Sequence, residues 1–282
     1  MGGTVRVIPN KPVLSEFEGK IAARYSQTGE QGGDNTMVQG VINIPLIEDQ
    51  LAIRAVVYQF DNDDYIDNIS ASYQSESELL SGLVESGGVL VDRKVGGDKY
   101  SGYRLSALWQ PIEQLSATLS YLNQEVDQNG NTSVELTLPG SFQQTRSAID
   151  SEGRGEFLFN ETEIFNLVLE YDLEWGSISS STSNIEYTPK SGFDASLFFG
   201  VSSTLAHGDT DVFIEELKFV SAFDGPLQVI LGYYYEDRKR YSLLDIDSRG
   251  TIFLPNAFRT VFENETTVEQ QSLFGELAYD LT

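Results

Sequence analysis

The residues with the most obvious chemical capacity are acidic. Asp61-Asn62-Asp63-Asp64 begins as a calcium loop begins, but position 66, which should be the turning glycine, is Ile66, and the remaining ligand spacing does not follow. Asp245-Ile246-Asp247-Ser248-Arg249-Gly250 has the glycine, yet it puts Arg249 at a ligand position and Asn256 where the bidentate glutamate belongs. Both runs read as solvated loop acids. His207, between Ala206 and Gly208-Asp209, is the only imidazole. It reads as a loop residue, exposed or touching ligand, with no serine nearby in a nucleophile-elbow context. Gly-x-Ser-x-Gly, His-Glu-x-x-His and a phosphate-binding Gly-Lys-Ser/Thr are all missing. The expectation is therefore no catalytic residue, no enzyme, no cofactor and no metal site.

Composition narrows the classes further. The chain has 282 residues, 40% of them hydrophobic, enough for one large β domain or two ordinary ones. With no cysteine there is neither a disulfide framework nor a thiolate metal site. A formal charge of -25 repels phosphate backbones, which argues against nucleic acid and other polyanionic partners. The acid excess reads as a solvated surface before it reads as a field that gathers cations. No run approaches the ~18 consecutive apolar residues of a membrane helix, and no basic-plus-apolar signal follows Met1. A β-barrel remains open, because its strands carry only about ten residues of alternating character.

The elements that would position these residues are hairpins. Met37 to Phe60 forms the founding one: Val41-Ile42-Asn43-Ile44-Pro45, a tight connection Leu46 to Gln50, then Leu51-Ala52-Ile53-Arg54-Ala55-Val56-Val57-Tyr58. Leu51, Ile53, Ala55 and Val57 share one face and Arg54 takes the other, the period-2 pattern of a strand with one apolar surface. A strand beginning near residue 16 alternates Phe17, Gly19, Ile21, Ala23 and Tyr25 with polar partners. The hairpin recurs around Pro111-Ile112-Glu113-Gln114, Glu174-Trp175-Gly176 and Phe223-Asp224-Gly225-Pro226, with a weaker Ser/Thr-rich strand from Ser177 to Tyr187. A last strand runs through Leu273, Gly275, Leu277 and Tyr279. The spacing predicts about ten strands.

Connections alternate in length. Turns near 46, 111, 174 and 223 are short, while those starting near 61, 126, 188 and 241 read as long loops of ~20 to 40 residues, the first with a short helix near Ser77 to Val84. Short turns at one end and long loops at the other are the habit of an outer-membrane barrel. Tyr25, Tyr58, Trp109, Tyr121, Trp175 and Tyr233 to Tyr235, near strand ends, read as interfacial girdles.

Gly2-Gly3-Thr4-Val5-Arg6-Val7-Ile8-Pro9-Asn10-Lys11-Pro12, followed by an amphipathic strand and Val41-Ile42-Asn43-Ile44-Pro45-Leu46, resembles the plug-to-barrel junction of TonB-dependent outer-membrane receptors. The resemblance implies residues 1–14 as the C-terminal end of a plug domain and 15–282 as the N-terminal part of the barrel. The fold class is then all-β: an antiparallel transmembrane barrel portion, about ten strands of a larger, 22-stranded plugged barrel. It also implies an outer-membrane location in a Gram-negative bacterium and active uptake of a scarce ligand: a ferric siderophore, cobalamin or a carbohydrate-like compound. The partners implied are membrane lipid, the ligand and a TonB energy-transducing protein that acts on a box outside this chain.

With the apolar faces toward lipid, Lys20, Arg24, Asn43, Arg54, Arg104, Glu170, Asp172 and Glu276 would line the lumen and face the plug. Tyr65, Tyr73, Phe142, Phe198, Phe199 and Tyr241 are the loop candidates for substrate contact. A passive pore or surface-binding barrel is the alternative, and a soluble β-rich ligand-binding module a further one. The module would need a second sheet against the apolar faces.

Overall fold

The structure, a computed structural model, describes residues 9–29, 32–69, 93–134, 136, 142–144, 156–194, 202–248 and 258–281. Among these, the regular elements are strands: β1 (Glu18–Gln27), β2 (Asp34–Ile47), β3 (Leu51–Asn62), β4 (Ile66–Asn68), β5 (Arg93–Val95), β6 (Asp98–Ile112) and β7 (Leu115–Asn129) come first. β8 (Gln143–Gln144), β9 (Phe157–Leu173), β10 (Gly176–Asp194), β11 (Ser202–Ser221), β12 (Leu227–Ser248) and β13 (Phe258–Tyr279) follow. Ten of them make one antiparallel sheet in the order β1-β2-β3-β6-β7-β9-β10-β11-β12-β13. The all-β, antiparallel architecture expected from the alternation is what the chain adopts.

Residues directly opposite in an antiparallel ladder share a face, so the register sorts every side chain. Glu18, Asn43, Arg54, Ser106, Ser120, Asn166, Ser183, Ile214, Glu236 and Gln270 are successive partners from β1 to β13 and lie on one face. The opposite face carries Ile21, Ile42, Ile53, Leu105, Leu119, Leu167, Leu217, Tyr233 and Leu273 at the same period of two. This second face is apolar and uncovered: Ile21 is 85% exposed, Leu105 52% and Leu273 85%. Hydrophobic residues buried among the described ones are only Ala52, Ile66, Val95 and Val212. A water-soluble domain of this length needs a far larger core.

The strands outrun their expected limits at one end. β10 continues to Asp194 and β11 begins at Ser202, so the loop expected from about 188 reduces to residues 195–201. β12 likewise reaches Ser248 and β13 starts at Phe258, which leaves 249–257 between them. Beyond the apolar stretch polar residues occupy both faces and the apolar ones keep no period of two, so the backbone keeps its ladder while the alternation that marks a strand in sequence fades. The connections after Asn62 and Asn129 are long, as expected. The short helix expected near Ser77 to Val84, and the plug-like residues through Ile8, lie outside the described residues.

Those two long connections clasp each other. β4 pairs antiparallel with β5 and parallel with β8, so the segment after β3 and the segment after β7 share a small sheet. Ile66 and Val95 are buried at its centre. Asp64 accepts hydrogen bonds from the Gly97 amide at 2.8 Å and from Asn129 Nδ2 at 2.9 Å. The acidic run is therefore a structural clamp where solvated loop acids were expected, and Asp61 and Asn62 belong to β3 itself. Gly102 is where one strand admits a neighbour's ring: a Cβ there would sit 2.6 Å from Tyr58 Oη and 2.7 Å from the Asn123 carbonyl oxygen. Gly102→Val is expected to cost about 1–2 kcal/mol by overpacking, read as a lower urea midpoint at unchanged m-value.

Candidate functional site

The polar face is built around the segment that precedes β1. Asn43, fully buried, accepts the Val13 amide at 2.9 Å and donates Nδ2 to the carbonyls of Val13 at 2.9 Å and Glu16 at 2.8 Å. One side chain thus satisfies three backbone groups of a segment with no ladder of its own, the sort of accounting that buried polar groups require. Two ion pairs flank the staple. Arg54 Nη1 reaches Glu18 Oε2 at 2.7 Å, and Lys11 Nζ reaches Glu170 Oε2 at 2.9 Å, where Ser116 Oγ also donates at 3.2 Å. Lys11 thereby carries the segment from β2 across to β9.

The register puts Lys20, Arg24, Asn43, Arg54, Arg104, Glu170, Asp172 and Glu276 on this one face. Asn43, Arg54 and Glu170 are gathered around the 9–17 segment; Glu276 lies far off on β13, opposite Ile230. Sequence reasoning missed their partners Lys11, Glu18 and Ser116. It also missed a ladder along β12, in which Tyr234 Oη donates to Glu236 Oε2 at 2.6 Å and Arg238 Nη2 to Glu236 Oε1 at 2.7 Å. The signal for that ladder was present, because 234, 236 and 238 share a face at period two.

The aromatic candidates divide. Tyr65 and Phe142 are brought together edge to face, ring centroids 6.4 Å apart, at the clasp between the two long connections. Tyr73, Phe198 and Phe199 lie outside the described residues. Tyr241, expected at a loop tip, is inside β12 on the side away from the polar face, beside His207 on β11 at 6.4 Å between centroids. His207 is likewise a strand residue where a loop was expected; its Nε2 lies 3.1 Å from Asp209 Oδ2. Both corrections have one cause, the extension of β11 and β12 past the apolar stretch. Tyr58, expected in a girdle, faces the polar side and donates to Gln124 Oε1 at 2.6 Å.

The apolar face has the dimensions of a membrane band. β1, β2, β3, β6, β7, β9, β12 and β13 each present four or five successive apolar, aromatic or glycine positions there, from Gly19 to Tyr25 on β1 and from Leu173 back to Phe165 on β9. Five same-face positions cover ~30 Å along a strand, or ~23 Å across a bilayer at a tilt of ~40°. Tyr25, Tyr103 and Tyr121 mark its upper edge, and Trp109 lies near the short-turn end. β10 and β11 are the exceptions: β10 presents Ser180 and Thr182 there, and Glu215 from β11 folds over them and accepts both hydroxyls, that of Ser180 at 2.8 Å.

Past the band, Asp245 on β12 is held by Arg259 on β13, Nη2 to Oδ2 at 2.6 Å and Nε to Oδ1 at 3.0 Å. The guanidinium keeps the Asp245 carboxyl below the usual aspartate range. A lowered folded-state pKa means stability present above the unfolded aspartate value and lost as pH falls through the folded one. Asp245→Asn is expected to cost about 1 kcal/mol at neutral pH, with the difference from wild type shrinking as the pH falls below the ordinary aspartate range, as read from urea midpoints along a descending pH series.

No family model and no curated sequence matches the chain. Solved structures do. The sheet resembles part of the ferric yersiniabactin uptake receptor FyuA from Yersinia pestis, with a TM-score of 0.68 at 11% identity, covering 97% of this chain and 46% of the receptor. It also resembles the siderophore receptor PiuA from Acinetobacter baumannii, TM-score 0.61, 16% identity, 93% and 40% covered. A third is a mutant of the ferric enterobactin receptor PfeA from Pseudomonas aeruginosa, TM-score 0.52, 10% identity, 97% and 43% covered. The chain therefore has the fold of a portion of the barrel of such receptors, and it spans less than half of their length.

Proposed function

We propose that this chain forms part of the outer-membrane barrel of a TonB-dependent receptor that takes up a scarce ligand, a ferric siderophore first among the candidates. The observation that carries the reading is two-sided: a band of membrane height on one face, and on the other a non-ladder segment stapled by buried Asn43. Residues 9–14 are then the end of a plug, Lys20, Arg24, Arg104, Asp172 and Glu276 line the lumen around it, and the Tyr65–Phe142 pair stands at the extracellular mouth. The three solved receptors are named for siderophores, which favours that cargo over cobalamin or a carbohydrate. A passive pore is disfavoured, because a segment bound across the wall obstructs free passage.

The test is uptake of radio-iron, supplied as ferric siderophores, by iron-starved cells with the gene intact, deleted and restored. Uptake that needs both the gene and the TonB partner supports the reading. Uptake that persists without the TonB partner makes the protein a passive pore.

A further inference from the structure

High on the polar face, the wall formed by β10 to β13 contains a recess of about 570 Å³, within the range that takes a small ligand. Its shape follows from side-chain size. Ala206 and Gly208 leave the floor low, while Tyr187 on β10 and Phe262 on β13 raise the two sides. Register places Thr210 between Tyr187 and Arg240, all on the polar face.

Its electrostatics run against the rest of the molecule. The chain has 43 acidic and 18 basic side chains, yet the described lining holds two guanidiniums, Arg238 and Arg240, and no carboxylate. The two arginines differ. Arg238 is oriented by Glu236 at 2.7 Å, with Tyr234 holding the other carboxylate oxygen. Arg240 makes no ion pair or hydrogen bond with a described residue and is exposed. A guanidinium presents five donors in a planar fork matched to paired oxygens, and aromatic walls take flat rings by stacking.

We propose that this recess binds a multiply charged anionic ligand carrying planar rings, with Arg240 as the residue that selects for its charge and Arg238 as a pre-oriented second donor. The assignment rests on the receptor reading above and adds to it the charge class of the ligand. The lining sets the discrimination: a cationic complex finds no counter-charge in the recess, and a neutral one gains only the ring contacts.

The experiment uses outer membranes from cells producing the full protein. Two radio-iron probes of similar size are compared, a trianionic ferric tris(catecholate) and a neutral ferric tris(hydroxamate), in wild type, Arg240→Glu, Arg240→Lys and Lys239→Gln; Lys239 is on the other face and controls for folding. The expected result is at least tenfold weaker binding of the anionic complex in Arg240→Glu, partial retention in Arg240→Lys, no change in Lys239→Gln, and weak binding of the neutral complex throughout. Binding of the anionic complex by Arg240→Glu within twofold of wild type overturns the proposal, as does equal wild-type affinity for both probes or none for either. Iron uptake separates the two readings. Energised uptake unaffected by Arg240→Glu removes the recess and leaves the receptor; Arg240-dependent binding without energised uptake removes the receptor and leaves the recess.

Discussion

Ile53→Arg is expected to lower the stability of the protein in phospholipid vesicles by about 2–4 kcal/mol, the cost of an arginine near the mid-plane of a lipid-facing wall. Ile53 lies on the apolar face of β3, between Ile44 of β2 and Ala107 of β6 in the ladder, with apolar positions above and below it on its own strand. In water the same substitution on an exposed strand face would cost within ~0.5 kcal/mol. The size of the loss therefore reports the solvent that this face meets. Ser181→Arg is the internal comparison: it stands on the polar face opposite Glu216 of β11, where a cation finds a counter-charge and water. Urea titration of both variants in vesicles is the measurement. A loss for Ile53→Arg no greater than that for Ser181→Arg would mean that the apolar face is not in lipid, and the soluble β-rich alternative would return.

The face assignments were legible in the sequence and the strand lengths were not, for a single physical reason. Alternation is written into a sequence only where the two sides of a strand meet different solvents. From Leu51 to Val57, or Leu227 to Tyr235, one side is apolar throughout, and period two reads directly. Beyond Tyr187 on β10 or Tyr235 on β12 polar residues occupy both sides and the few apolar ones, Phe193, Leu243, Leu244 and Ile246, keep no period of two, so the ladder continues on backbone hydrogen bonds and strand looks like loop. His207 and Tyr241 were misplaced by that fading. Tyr58 was misplaced differently: its position near a strand end fits a girdle, but parity with Arg54 puts it on the polar face. The partners of Asn43, Glu170 and Arg54 were invisible, because pairing between Lys11 and Glu170 depends on how ten strands curve and not on any local pattern.

Asn43→Leu is expected to destabilise the protein by about 3 kcal/mol, because the buried site loses three hydrogen bonds to half-buried or exposed backbone groups, at ~1 kcal/mol each. Leucine keeps the branched skeleton of asparagine but is bulkier, so at this fully buried site the loss combines the missing hydrogen bonds with some overpacking. Three groups are orphaned: the Val13 amide and the carbonyls of Val13 and Glu16. Asn43→Asp tests the parts separately, since a carboxylate still accepts the Val13 amide but turns oxygen toward two carbonyls. The loss is also local in origin. β1 and β2 keep their own ladder from Glu18 to Gln27, so hydrogen exchange should rise by at least tenfold at Val13 and stay near wild type at Ile21 and Ala23. The exposed Lys11–Glu170 pair, worth at most about 1 kcal/mol, cannot hold the segment by itself. If Val13 remains protected in Asn43→Leu, the segment is anchored by residues before Pro9, and Asn43 fills space without fixing the junction.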